Sequence, residues 1–297
     1  MKTPNYDSPR ELKRLLQNEG FAMQKRFSQN FMINPSARHK IAELVTPSAG
    51  EEVWEIGAGL GCMTRELLVR GFRVKAFEVD RGFCRLLREF FAKEIASGDL
   101  EITEGDVMKT WQDELKKACG SAAHIKLVGN LPYNIASTFI AQTIRSGVVF
   151  SSCVFTVQKE VAERMAARVG DKDYSGFSVL CQFAYDVNLA LSLAAGSFWP
   201  RPRVSSQAVV LKRRHEPLSC SAGTFSLVVN CLFASRRKTI LNNARALPLD
   251  GESAEDFLAS CGVDGSHRAE HLCVEQFARI ACELEKIKAR TAKILEG

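Results

Sequence analysis

The sequence predicts an α/β fold: a mostly parallel, Rossmann-like sheet wound by helices, followed by a small all-helical C-terminal domain. Three observations carry this. From about residue 50 to residue 212, short apolar runs alternate with longer stretches of helical period, the pattern of β-α-β units around a parallel sheet. After Lys212 the strand-like runs stop, and helix-period segments take over. Between the two textures stands Arg213-Arg214-His215-Glu216-Pro217, a charged hinge stopped by proline.

The elements follow in order. Strands are expected at 52–56, 73–78, 100–104, 125–129, 153–157, 187–193 and 207–212. Each of the first four is followed by a helix-like segment or a polar loop, and the helix at 63–69 begins almost where the first strand ends. The last two strands are separated only by a loop rich in Gly, Pro and Arg, which suggests an antiparallel hairpin closing one edge of the sheet. Four helices are expected at 224–234, 236–246, 253–261 and 274–295. The organisation is thus an N-terminal extension, 1–24, a sheet domain, 25–212, and a helical domain, 213–297.

Composition narrows the class. A chain of 297 residues with 46% hydrophobic and 25% charged residues is a soluble globular protein with room for one large domain or two ordinary ones. Forty Lys and Arg against 34 Asp and Glu leave a net charge of +6, a balance that suits a polyanionic partner. No two of the ten cysteines stand closer than nine residues, so no Cys-x-x-Cys knuckle exists and a reduced, cytoplasmic setting is expected. The loose set Cys261, His267, His271 and Cys273 lacks paired-cysteine spacing, and no metal is expected. No run of eighteen apolar residues occurs, and the first residues are charged, so neither a membrane span nor a secretory signal is expected.

Three successive strand ends carry the chemistry of a cofactor site. The first ends in Glu55-Ile56-Gly57-Ala58-Gly59-Leu60-Gly61-Cys62, a glycine-rich turn that lets a ligand approach the backbone. A dinucleotide fingerprint would place Gly or Ala where Cys62 stands, so a nucleoside cofactor without a pyrophosphate is favoured. The second strand ends at Glu78, whose carboxylate suits a ribose diol, and the third is followed by Asp106, whose carboxylate suits an exocyclic amine of adenine. Adenine, diol and a methionine tail are the parts of S-adenosylmethionine. The fourth strand runs into Asn130-Leu131-Pro132-Tyr133, where an amide, a proline and an aromatic ring suit the capture of a planar, amine-bearing base. Alone, that tetrapeptide also reads as an ordinary turn.

With these residues in place, the chain resembles the KsgA-type small-subunit (16S) ribosomal RNA adenine N6,N6-dimethyltransferase family, from Arg26 to Ala281. The resemblance is carried by Arg26-Phe27-Ser28-Gln29-Asn30-Phe31, the turn at Gly57, Glu78, Asp106, Asn130 to Tyr133, Phe198 to Pro202, Arg236-Arg237-Lys238-Thr239, Arg268-Ala269-Glu270 and Phe277. It implies an S-adenosylmethionine-dependent methyltransferase sheet. Asn30 and the backbone of Met32 would hold the methionine part, Gly57 would lie beneath it, Glu78 would take the ribose and Asp106 the adenine, with Asn130 between cofactor and target. Met32 stands where the family usually has Leu, a substitution of similar volume. The resemblance also implies dimethylation of two adjacent adenosines in a hairpin loop near the 3′ end of 16S rRNA during ribosome biogenesis.

The chemistry sets what the residues must do. The N6 lone pair of adenine is delocalised into the ring, so position matters more than a strong base. The Asn130 side-chain oxygen and the backbone carbonyl of Leu131 or Pro132 would accept the two N6 hydrogens, with Tyr133 and Phe198 stacking on the flipped base. Grip on RNA would come from Lys25, Arg26, Lys159, Arg164, Arg168, Arg201, Arg203, Arg236, Arg237 and Lys238, with Arg236 to Lys238 opening a helix. A monomer acting on 16S rRNA within the small subunit is expected. Two alternatives remain: a large-subunit rRNA adenine methyltransferase of the antibiotic-resistance type, and a non-catalytic ribosome assembly factor.

Overall fold

Strand-forming runs rich in Val, Ile and Phe assemble in the computed structural model, which describes residues 3–21, 30–46, 52–118, 121–131 and 133–296. In chain order the strands are β1 (Phe31–Met32), β2 (Glu52–Ile56), β3 (Arg73–Glu78), β4 (Leu100–Glu104), β5 (Ile125–Asn130), β6 (Ser152–Gln158), β7 (Tyr185–Leu193), β8 (Phe198–Trp199) and β9 (Ser206–Arg213). The helices are α1 (Pro9–Asn18), α2 (Pro35–Leu44), α3 (Cys62–Val69), α4 (Arg81–Phe90), α5 (Ala92–Ser97), α6 (Val107–Lys117), α7 (Tyr133–Arg145), α8 (Lys159–Ala166), α9 (Gly176–Ala184), α10 (Ala222–Leu232), α11 (Ile240–Ala244), α12 (Ala254–Ser260) and α13 (Val274–Glu296).

Seven strands form one sheet in the order β4-β3-β2-β5-β6-β9-β7. The first five are parallel to one another, and β9 runs antiparallel to β6. The chain winds outward in one direction from β2 to β4 and in the other from β5 to β6, which makes the β2–β5 boundary a topological switch point. Register brings the carboxyl ends together: Ile56 pairs with both Phe77 and Gly129, and Glu78 pairs with Glu104.

Two expectations need correction. The segment between the last two sheet strands is more than a loop, because Phe198 and Trp199 form β8 and pair antiparallel with Met32 and Phe31 of β1. Two-residue strands leave too little period-2 pattern for a sequence to reveal them. The helix expected at 236–246 is only Ile240–Ala244, and Arg236 to Lys238 form the turn before it. Thr239 explains the later start: its side chain accepts the Asn242 N–H as the N-cap.

By internal contacts the chain divides into two units, Met1–Ala136 with Phe150–Ala162 and Asn188–Lys212, and Ser137–Val149 with Glu163–Val187 and Arg213–Gly297. In the second unit α9 packs on α10 and α13, and Phe183 stacks on Phe225 with centroids 4.0 Å apart. That apolar face of α9 is why the unit extends back before Arg213. In the first unit Trp54 of β2 is fully buried, its ring 5.0 Å from Phe77 and 5.8 Å from Phe150. A buried lysine in β3, Lys75, is neutralised by Glu114 of α6 at 2.7 Å. Residues before the sheet also join this core. Ser8 caps α1, Pro9 occupies its first turn, and Leu12 and Leu16, one turn apart, are buried in the same apolar cluster as Phe31 and Met32. No helix among the described residues is long and apolar enough to cross a membrane.

Candidate active site

The carboxyl ends of β2, β3 and β5 and the loop after β4 surround a cavity of about 380 Å³. Its lining includes Asn30, Met32, Gly57, Glu78, Asp106 and Asn130, all six residues expected at the cofactor. Leu131 lines it as well.

The floor is the glycine turn. Gly57, Gly59 and Gly61 have φ of 76°, 58° and 82°, a left-handed path that side chains disfavour, and Gly61 leads directly into α3. The Gly57 N–H donates to the Phe77 carbonyl at 2.8 Å, which ties the turn to the end of β3. A Cβ on Gly59 would stand 3.2 Å from the Phe31 ring, so the bare backbone keeps this wall of the cavity open.

Glu78 is 6% exposed and its carboxylate is strongly organised. Oε1 accepts the N–H groups of Val79 and Asp80, both at 2.9 Å, and Oε2 accepts that of Gly59 at 2.7 Å. A carboxylate offers about four acceptor positions, so capacity remains on Oε2 for a hydroxyl. Burial raises the Glu78 pKa above the usual carboxylate range against those three N–H groups, which lower it. Asp106 is the N-cap of α6, where Oδ1 accepts the Met108 N–H at 3.0 Å. That cap fixes the carboxyl beside the cavity and leaves Oδ2 for an amine.

Asn130 ends β5 opposite Thr156 and is exposed. Its Nδ2 donates to the backbone carbonyl of Asn30 at 2.7 Å, so Oδ1 is the atom left to accept. Leu131 is held by its N–H, which donates to the Thr156 carbonyl at 3.1 Å. Pro132 lies outside the described residues, as do the side chain of Tyr133 and residues Lys25 to Gln29. Phe198 differs from expectation in its setting. It is 3% exposed, belongs to the apolar core, pairs through β8 with Met32, and is not among the residues lining the cavity. One face of its ring would have to be uncovered before a base could stack on it.

Sequence reasoning missed Glu55, Phe83 and Thr156 in the lining. Glu55 was legible as an acid at an inward position of an apolar strand. It is 3% exposed, takes a hydrogen bond from the Thr64 hydroxyl at 2.5 Å, and has its pKa pushed up to about 8, chiefly by burial. Phe83 lies in the first turn of α4, which Asp80 caps, and Phe21 stacks on it at 5.0 Å.

The cationic residues occupy separate settings. Arg201 and Arg203 are exposed between β8 and β9. In the other unit Arg236 to Lys238 are exposed in their turn, and Arg236 also donates to the Tyr174 carbonyl at 3.0 Å and pairs with Glu270 at 3.4 Å. Two distant stretches that carry the resemblance, Arg236 to Thr239 and Arg268 to Glu270, thus meet in one ion pair. Cys261, His267, His271 and Cys273 form no metal-binding group, nor does any other set of His, Cys, Asp and Glu among the described residues.

A family model described as ribosomal RNA adenine dimethylase matches residues 20–286. A ribosomal RNA small subunit methyltransferase A of Treponema denticola is 43% identical over 284 residues, 93% of this chain and 94% of that protein. A dimethyladenosine transferase from Plasmodium falciparum superposes with a TM-score of 0.70 at 25% identity, covering 86% of this chain and 97% of that one. The 23S rRNA methyltransferase ErmE superposes with a TM-score of 0.62 at 24% identity, covering 86% and 100%, a likeness of fold alone.

Proposed function

Because the chain belongs to the ribosomal RNA adenine dimethylase family, its reaction is methylation of adenine in ribosomal RNA, and we propose that it dimethylates N6 of two adjacent adenosines near the 3′ end of 16S rRNA. The small-subunit target is supported by the name of the Treponema denticola relative, similar along nearly its whole length. The observation that carries the catalytic reading is the convergence of Asn30, Met32, Gly57, Glu78, Asp106 and Asn130 on one cavity. That convergence speaks against a non-catalytic assembly factor; the same cavity would serve a large-subunit enzyme, and the choice of the small subunit rests on the relative's name.

The cavity's groups fit S-adenosylmethionine. Acceptor capacity on Glu78 Oε2 suits a ribose hydroxyl, Asp106 Oδ2 suits an adenine amine, and the backbone near Met32 with Asn30 suits the amino acid tail. The glycine turn leaves the close approach that a sulfur-bearing chain needs. When bound, S-adenosylmethionine supplies an electrophilic methyl group on a cationic sulfur. Asn130 Oδ1 and the Leu131 or Pro132 carbonyl accept the two N6 hydrogens of the target, which turns the nitrogen lone pair toward the cavity. The bond from Asn130 Nδ2 to Asn30 couples that acceptor to the wall that holds the methionine tail. Tyr133 stacks on the flipped base, at roughly 1–3 kcal/mol for a base on an aromatic ring. Phe198 supplies the second face after its ring leaves the core.

Arg201 and Arg203 in one unit, and Arg236, Arg237 and Lys238 in the other, contact phosphates. Work on ribosomal RNA belongs in the cytoplasm, and since one chain carries every group invoked, a monomer suffices. The test is transfer of labelled methyl groups from S-adenosylmethionine to naked 16S rRNA, small-subunit particles and large-subunit particles. Incorporation into an adenosine of the small-subunit particles supports the reading, and incorporation confined to the large subunit overturns it.

A further inference from the structure

The residues before the sheet have no counterpart in the catalytic reading, yet two neighbours among them contact residues that support the cavity wall. The Tyr6 hydroxyl donates to the carbonyl of Leu60, within the glycine turn, at 2.8 Å. Asp7 pairs with the guanidinium of Arg38, and that same guanidinium donates through Nη1 to the carbonyl of Met32 at 2.9 Å. Arg38 lies on α2, is 5% exposed, and has Glu66 as its other acidic neighbour, Nε to Oε1 at 3.5 Å. Tyr6 is 4% exposed, and burial keeps its phenol protonated and so a donor.

We propose that Tyr6, Asp7 and Arg38 are positioning residues for the methyl donor, a two-point brace that sets the Met32 peptide and the glycine turn at their working separation. This rests on the reading that the Met32 backbone holds the methionine part of the donor. A carbonyl has two lone pairs. Arg38 takes one on Met32 from the side of α2 and leaves the other for the donor's ammonium group. Two cations at one carbonyl repel, and the carboxylates of Asp7 and Glu66 offset the guanidinium so that both can stay. Asp7 therefore acts on the donor through Arg38, and Arg38 through Met32. The β1–β8 pairing holds Met32 from its other edge, where the Ile33 N–H donates to the Ser197 carbonyl at 2.9 Å, so the guanidinium completes a clamp on this peptide.

The test is calorimetric binding of S-adenosylmethionine to the full chain carrying Arg38→Met, Arg38→Lys, Asp7→Asn or Tyr6→Phe, in which Kd should rise as KM does, alongside steady-state methylation of small-subunit particles with S-adenosylmethionine and particle concentration varied separately. Loss of the orienting charge-assisted bond in Arg38→Met raises KM for S-adenosylmethionine about tenfold, with kcat and KM for the particles within about twofold. Arg38→Lys recovers part of the loss, while Asp7→Asn and Tyr6→Phe raise the same KM to a smaller extent. Asp7 is half exposed, so its variant tests the brace even if Arg38→Met fails to fold. A KM for S-adenosylmethionine unchanged within twofold in folded Asp7→Asn and Tyr6→Phe overturns the proposal, as does a loss confined to kcat. Glu78→Ala, measured alongside, separates the two levels. If it weakens the donor while the brace variants do not, the brace is wrong and the cavity reading stands; if it too has no effect, the cavity reading falls first.

Discussion

Asn130 illustrates how one hydrogen bond decides a side chain's role. An asparagine amide presents a donor and an acceptor, and the Nδ2 bond to Asn30 leaves the acceptor, the atom proposed to take the substrate amine. Asn130→Ala is expected to lower kcat at least ~100-fold, the scale of a lost orienting contact, with the dissociation constant for S-adenosylmethionine nearly unchanged. Single-turnover kinetics alongside calorimetric binding check this. Glu55 makes a prediction of a different kind. Burial raises its pKa to about 8 in the folded chain, whereas the unfolded chain releases the same proton in the ordinary carboxyl range. Between those limits the folded state binds more protons, so the stability Glu55 contributes is full at the acid end and is lost as pH rises through about 8. Thermal melts of the protein without cofactor should show Tm falling from mildly acid pH toward that value, and Glu55→Gln should remove most of the slope.

At the scale of elements, the strand-to-helix turn after β2 is the most constrained segment of the site. Gly61 combines a φ of 82° with a position where a Cβ would meet Phe91 at 2.5 Å and Leu87 at 2.9 Å. Gly61→Ala should destabilise the fold by about 2–5 kcal/mol, the sum of backbone strain and overpacking, as read from urea unfolding. Such turns were legible in the sequence because glycine has few other reasons to recur at that spacing. The parallel strands were legible too, since a run such as Val53 to Ile56, buried on both faces, leaves little doubt about its state. What stayed hidden depended on pairing across the chain. The two-residue strands β1 and β8 exist only because each completes the other, and α11 starts late because Thr239 caps it. Phe198 shows the same limit, since nothing local in an aromatic beside a proline-rich loop tells that its ring rests in the core. The brace of Tyr6, Asp7 and Arg38 carries no local pattern at all.

For the whole molecule, a net charge of +6 sets how it meets a polyanion, and Arg237 and Lys238 are exposed in the helical unit. Each phosphate contact that is lost should reduce the salt slope of RNA affinity by about one, with a similar weakening for every sequence. Arg237→Ala and Lys238→Ala are expected to behave this way in binding titrations across salt concentrations. Arg236→Ala should in addition lower Tm, because its guanidinium joins the Tyr174 carbonyl to Glu270. The most direct test of the central claim is mass spectrometry of both ribosomal RNAs from cells lacking this protein, complemented with wild type or Asn130→Ala. The account predicts N6,N6-dimethyladenosine near the 3′ end of 16S rRNA restored by the wild type and absent with Asn130→Ala. A mark that appears in 23S rRNA instead, or one that Asn130→Ala restores in full, would contradict it.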